Sequence, residues 1–168
     1  MIKFKQNKLF RNAPLILLMV SVLNEFDFNY LEIYFFSFNF PFILIFYWSL
    51  KKIGILGYGY IFIAGLINDV IVGFPLGISS LSYLLICGFA AYLKNITLRP
   101  SLVKDWIFFL FTITVVNSLI YMILILFFSF DMNYIRLIMN LLITFLFYFM
   151  FAHLFQFYQK LVFGIKYD

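Results

Sequence analysis

One carboxylate and three helix-breaking residues stand close together between two long apolar runs. Asp69 is followed by Gly73, Pro75 and Gly77. This spacing predicts that one helix ends and the next begins within a tight turn. The free amides of residues 77–79 and the positive end of the new helix dipole would both favour a carboxylate. Asp69 is therefore predicted to cap or orient the next helix, and the alternative is an ordinary polar loop residue near the lipid headgroups.

The other reactive side chains are too isolated to suggest a catalytic or metal site. His153 is the single histidine and lies in an apolar run, where an interfacial polar residue is the simpler interpretation. Cys87 is the single cysteine, so no disulfide can form within the chain, and its apolar neighbours favour core packing. No nucleophile lies within sequence reach of a base. The sequence therefore predicts a protein that is not an enzyme and binds no metal or cofactor.

The composition indicates an integral membrane protein. Hydrophobic residues make up 65% of the chain and charged residues 11%, whereas soluble domains carry about 25% charged residues. A helix that crosses a membrane needs about 20 apolar residues, so 168 residues allow about six such helices in a single membrane domain, residues 1–168. The net charge of +5 is interpreted as contact with anionic membrane lipid, not as nucleic-acid binding.

Six apolar runs follow one another along the chain. Basic residues precede the first run and follow the second, fourth and sixth, whereas Asp27, Asp69 and Asp131 mark the alternate connections. The positive-inside rule then places both termini in the cytoplasm. The predicted fold class is therefore an all-α, polytopic membrane protein with about six transmembrane helices. The predicted spans are 9–26, 34–50, 55–72, 78–93, 106–130 and 134–158.

Proline, glycine and small polar residues add expectations about packing. Pro41, with Asn39 before it, predicts a kink or the start of the second helix at its outer end. Gly65, with Ala64 and the glycines of residues 54–59, predicts close approach of neighbouring helices. Four residues of the fifth helix predict hydrogen bonds between helices or, as the alternative, the lining of a polar cavity: Thr112, Thr114, Asn117 and Ser118.

The Asp69 segment also resembles the signature region of a known family. Gly65 and Leu66 are followed after two residues by Asp69, then by Gly73 and by Pro75-Leu76-Gly77, before an apolar helix. The run from Phe40-Pro41 to Tyr47-Trp48 is similar to the second-helix pattern of the same family. This family is MreD, the bacterial rod-shape-determining membrane proteins. Asn68 departs from the pattern, because an apolar residue is more familiar there.

The resemblance to MreD implies a noncatalytic component of the cell-elongation machinery in the bacterial cytoplasmic (inner) membrane. It implies binding to the bitopic shape protein MreC and indirect association with the actin-like MreB filament and the cell-wall synthase complex. The protein would thereby help to position peptidoglycan synthesis, and a homodimer is left open. The partner-binding or structural motif is predicted to comprise Gly65, Asp69, Gly73, Pro75, Gly77 and Pro41.

The resemblance also supplies an alternative function. MreD is similar in fold to the substrate-binding subunits of energy-coupling-factor vitamin transporters. Such a subunit is expected to carry small residues at every fourth position of its first helix, for its coupling partner, and a polar ligand pocket at its outer face. Residues 13–20 of the first helix offer no such spacing. The scaffold function is therefore preferred, with the transporter subunit as the alternative.

Overall fold

The computed structural model describes residues 8–23, 37–97, 101–130 and 133–163. These residues form an all-helical fold, which confirms the predicted fold class at that level. Each predicted apolar run corresponds to one helix. The helices are α1 (Lys8–Leu23), α2 (Phe40–Leu56), α3 (Tyr58–Val72), α4 (Ile78–Ile96), α5 (Leu102–Phe128) and α6 (Tyr134–Phe163).

Two helices have the length and composition of membrane spans. They contain Leu102–Phe128 of α5 and Tyr134–Lys160 of α6, each 27 residues long. Within the described part of the chain, three other helical segments are apolar but shorter than a typical span. These are Asn12–Leu23, Phe40–Lys51 and Tyr58–Val72.

The second helix does not begin where its apolar run begins. α2 starts at Phe40, and residues 37–39 before it are not helical, so the predicted span of 34–50 is wrong at this end. Pro41 lies in the first turn of α2, where a backbone N–H would have no helical acceptor. Of the two alternatives for Pro41, the helix start is therefore the one observed. Residues 24–26 and 34–36 of the predicted spans lie outside the described residues.

Several other helices continue beyond the apolar runs that predicted them. α2 extends past residue 50, α4 past residue 93 and α6 past residue 158, whereas α5 begins four residues before the predicted 106. Each extension contains polar or charged side chains. Hydropathy marks where an apolar run ends, but a helix can continue through charged residues that reach an interface or an ion pair. The turn at Gly57 delays α3 until Tyr58, three residues after the predicted start.

α2 lies at the centre of the bundle. Every residue from 40 to 50 is buried, and α2 packs against α1, α4 and α6. The Phe46 ring lies between α5 and α6, with its centroid 5.1 Å from that of Phe109 and 5.7 Å from that of Tyr148. The Tyr47 hydroxyl donates a hydrogen bond to the Gln159 side-chain oxygen over 3.3 Å. A helix that is apolar on all sides is expected in such a buried position.

Candidate functional site

Asp69 is fully buried near the end of α3 and connects it to the start of α4. Its Oδ2 accepts a hydrogen bond from the Gly77 amide and its Oδ1 accepts one from the Ser79 amide, each over 2.7 Å. We call Asp69, Gly77 and Ser79 the Asp69 clamp. The hydrogen bonds predicted for this carboxylate are therefore present. The alternative of a solvated loop residue is wrong, because the side chain is not exposed.

The main chain of Asp69 closes the end of its own helix. Its carbonyl accepts hydrogen bonds from the amides of Gly73 and Phe74, over 2.9 and 3.0 Å. Gly73 adopts the left-handed conformation, with φ 76°, which is typical of a glycine that ends a helix. The carbonyl of Pro75 then accepts from the Ile78 amide over 3.3 Å. One residue thus ends α3 with its main chain and holds the start of α4 with its side chain.

Gly65 allows the close approach of α3 and α4 that the sequence predicts. A Cβ atom at this position would overlap the backbone of Ser80. Across the same contact, the Ser80 hydroxyl donates to the Phe62 carbonyl over 2.9 Å. Asn68, the departure from the MreD pattern, donates from Nδ2 to the Ser79 hydroxyl over 2.9 Å. The polar residue at this position therefore adds a bond between the two helices.

Gly77 is required for its backbone conformation and not for space. Its φ is 102°, in the left-handed region that disfavours residues with a Cβ atom. No atom lies within 4 Å of the position that a Cβ would occupy. Because this conformation aims the Gly77 amide at Asp69, the glycine and the carboxylate act as one unit.

A cavity of about 320 Å³, lined by both polar and apolar residues, lies beside the clamp. Asn117 of α5 lines it, so the cavity alternative is observed for this residue. The predicted bonds between helices are wrong for Thr112 and Thr114, whose hydroxyls donate to carbonyls of their own helix over 2.9 and 2.8 Å. Ser118 is exposed. Each of the six helices supplies at least one lining residue: Ser21, Pro41, Asn68, Ser79, Asn117 and Arg136.

Asp105 is a second buried carboxylate, which the sequence expectations did not include. It lies in the first turn of α5, 2% exposed, and its Oδ2 is 3.0 Å from Nζ of Lys51 in α2. The ion pair connects two helices at the end of the bundle opposite the Asp69 clamp. The signal that could have marked Asp105 is its position as an acidic residue beside the basic connection between α4 and α5.

The isolated reactive side chains occupy ordinary positions. His153 is exposed on α6, with Nδ1 3.1 Å from the Phe149 carbonyl. Cys87 is buried, and its Sγ accepts a hydrogen bond from the Ser49 hydroxyl over 3.2 Å. Among residues 8–23, 37–97, 101–130 and 133–163, no three His, Cys, Asp or Glu side chains are grouped so that they could hold a metal ion.

The fold and the site together define a helical bundle with two potential membrane spans and a hairpin held by a buried carboxylate. Comparisons with protein-family models, curated proteins and solved structures find no match to this chain. Both oxygens of Asp69 are engaged by main-chain amides. The clamp therefore maintains the shape of the hairpin and does not present a reactive group.

Proposed function

We propose that this protein is a noncatalytic membrane component of the bacterial cell-elongation machinery, similar to MreD. The Asp69 clamp carries the proposal. The motif residues around it shape a single hairpin: Gly65 by close packing, Gly73 and Gly77 by positive φ angles, and Pro75 by its position in the turn. Five of the six predicted motif residues thus fix the shape of one hairpin, whereas Pro41 lies in the first turn of α2. A hairpin held in one shape supports a role in recognition.

The surface of the hairpin supports a partner-binding role. Val70, Ile71 and Val72 at the end of α3 and Leu76 in the turn are exposed, and we call these four residues the hairpin edge. Val70 is 71% exposed and Leu76 is 73% exposed. Apolar residues on a rigid turn suit contact with another membrane helix or with lipid. In this proposal the hairpin edge binds the membrane segment of a bitopic shape protein such as MreC, and MreB and the cell-wall synthase associate indirectly.

The proposal includes six membrane crossings with both termini in the cytoplasm. A cysteine-free background, Cys87→Ala, allows two matched single-cysteine variants, Leu76→Cys in the hairpin turn and Lys94→Cys near the end of α4. Both parent side chains are exposed. An impermeant maleimide added to intact cells should label Leu76→Cys, and it should label Lys94→Cys after permeabilisation only. Labelling of Lys94→Cys in intact cells would contradict the six-span topology.

Complementation tests the role in cell shape. Depletion of the protein should make rod-like cells round or swollen, and the wild-type chain should restore their shape. Asp69→Leu should fail to restore it and should copurify less of the bitopic partner. Gly88→Ala is a matched control, because Gly88 is exposed and a Cβ there would meet no atom within 4 Å. Full complementation by Asp69→Leu at native expression would contradict the proposed role of the hairpin.

One observation favours the second candidate, a substrate-binding subunit of an energy-coupling-factor vitamin transporter. Such a subunit requires a polar pocket near its outer face. The cavity beside the Asp69 clamp, with Asn68, Asn117 and Arg136 in its lining, supports this alternative in the proposed topology. The exposed face of α1 supports the scaffold instead, since it carries the bulky residues Ile16, Leu17, Val20 and Leu23. Loss of one vitamin uptake activity with normal cell shape after depletion would favour the transporter subunit.

A further inference from the structure

Two cavities with polar and apolar lining residues adjoin near the start of α6. The cavity beside the Asp69 clamp and a second one of about 320 Å³ share Ser37, Phe74, Tyr121, Arg136 and Asn140. We call the combined space the Arg136 cavity. Its size falls in the range of about 300–1,000 Å³ that is typical of small-molecule sites. Because Arg136 is itself exposed, the cavity reaches the surface beside it.

Arg136 has no carboxylate partner within the part of the chain that the structure describes. The ion pair found there is Lys51–Asp105, at the opposite end of the bundle. None of the described residues that line the Arg136 cavity is acidic. Among the described residues that line the Arg136 cavity, no carboxylate therefore offsets the positive charge of the guanidinium. A planar guanidinium fork matches the geometry of phosphate and carboxylate groups.

The position of Arg136 within α6 also favours an anionic ligand. It lies in the first turn of that helix, a turn with no acidic residue, and its amide donates a hydrogen bond to the Asn133 side-chain oxygen over 3.3 Å. The free amides and the dipole at a helix start favour an anion and disfavour a cation. An anionic ligand would complement the helix start and the guanidinium together.

Polar groups that line the Arg136 cavity together with Arg136 are held in place by hydrogen bonds of their own. The Asn140 side chain donates from Nδ2 to the Ser37 hydroxyl over 2.9 Å. The Asn39 amide donates to the Thr144 hydroxyl over 2.9 Å, which fixes the chain before α2 against α6. Asn117 lines the same space from α5. Polar groups fixed in this way lose little conformational freedom when they bind a ligand.

We propose that the Arg136 cavity binds a phosphate-bearing polar group, with Arg136 on the phosphate and the asparagine side chains on the polar body. This binding site goes beyond the proposed scaffold role and does not depend on it. The phosphate can come from the headgroup of a phospholipid or from a free small solute. Both sources present the same phosphate chemistry to the cavity. The choice of probes in the experiment distinguishes them.

Binding is measured on the purified full-length protein in detergent, by native mass spectrometry and by the shift in melting temperature. The probes are glycerol 3-phosphate and a short-chain phosphatidylglycerol, and diacylglycerol of the same chain length is the control without phosphate. We expect saturable binding of at least one phosphate probe and none of the control. Binding of glycerol 3-phosphate indicates a free solute as the source, and binding of phosphatidylglycerol alone indicates a lipid headgroup.

Two variants test the assignment of the residues. Arg136→Gln should weaken binding about tenfold, as expected from the loss of a hydrogen bond to a charged group. Lys94→Gln removes an exposed positive charge far from the cavity and should bind as the wild type does. Asn117→Leu should also weaken binding. Melting temperatures without ligand show whether each variant is folded, and Arg136→Gln is expected to fold because the parent side chain is exposed.

The proposal is overturned if neither phosphate probe binds saturably, or if Arg136→Gln binds as tightly as Lys94→Gln. Neither result bears on the scaffold role, since that role is judged by the complementation of cell shape by Asp69→Leu. Failure of the cavity proposal and failure of the proposed function are therefore distinguishable.

Discussion

Two buried aspartates, at opposite ends of the bundle, are stabilised in different ways. Asp69 accepts hydrogen bonds from main-chain amides eight and ten residues later, whereas Asp105 pairs with the side chain of Lys51, 54 residues earlier. The amides at the start of α4 have no helical acceptor, and the Asp69 carboxylate supplies the acceptors that they lack. A buried ion pair often contributes little net stability, because both charges lose their hydration. The first arrangement shapes a local turn and the second joins distant helices.

The largest effect is expected from removal of the carboxylate at the Asp69 clamp. Asp69→Leu leaves the amides of Gly77 and Ser79 without their acceptor, at about 1–3 kcal/mol for each buried amide. Asp69→Asn keeps one oxygen acceptor and should be milder. Thermal unfolding of the purified protein should rank the melting temperatures as wild type, then Asp69→Asn, then Asp69→Leu. Equal values for wild type and Asp69→Leu would show that the clamp adds no stability.

The ion pair is expected to be sensitive to the loss of one partner and tolerant of the loss of both. Lys51→Met leaves Asp105 buried without its cation, which we expect to cost about 3 kcal/mol, at the low end for buried pairs. The low end applies because the Lys51 side chain is 14% exposed. The double variant Lys51→Met/Asp105→Leu should recover much of this loss. A double-mutant cycle measures the coupling, and strictly additive effects would contradict it.

The contact between α3 and α4 is tested by one methyl group. Gly65→Ala places a Cβ against the backbone of Ser80 and should destabilise by about 1–3 kcal/mol through overpacking. Gly88→Ala adds the same methyl group to an open position of α4 and should be neutral or stabilising by up to about 1 kcal/mol. If both variants have the same melting temperature, the close approach at Gly65 is not required.

The smallest expected effect belongs to the backbone conformation of Gly77. Gly77→Ala should cost about 1–2 kcal/mol, because alanine disfavours a φ of 102° although the space for its methyl group is open. Gly59→Ala is the control, since Gly59 is exposed within α3 and has open space. In the background of Asp69→Leu, Gly77→Ala should lower the free energy of unfolding by less. If the loss is the same in both backgrounds, Gly77 and Asp69 do not act as one unit.

The two ends of the bundle also differ in how well the sequence predicts them. The Asp69 clamp is predictable because its donors and acceptor lie within ten residues and are bracketed by glycine and proline. The Lys51–Asp105 pair is not, because 54 residues separate its members and the spatial order of the helices has to be known first. For the Arg136 cavity the sequence offers Asn117 as a possible lining residue, but it does not predict which residues of the other five helices join it, because that too depends on the spatial order of the helices.

The six helices are predictable as elements because each contains an apolar run. The ends of the helices are harder to predict from the sequence. Pro41 could start or kink α2, and the structure decides between these by placing it in the first turn. Charged residues such as Lys51 and Asp105 lie inside helices, where they form an ion pair that hydropathy does not detect. The number of membrane crossings remains part of the proposal.

The short length of α3 has a consequence for the surrounding lipid. Its 15 residues span about 22 Å, whereas the 27 residues of α5 span about 40 Å and the hydrocarbon core is about 30 Å thick. In a protein that crosses the bilayer as proposed, this hydrophobic mismatch favours local thinning of the membrane beside α3. With the bilayer thinned in this way, the turn after α3 stays level with the headgroups and its exposed residues reach water. The Asp69 carboxylate, which is buried, takes the place of water as the acceptor for the first amides of α4.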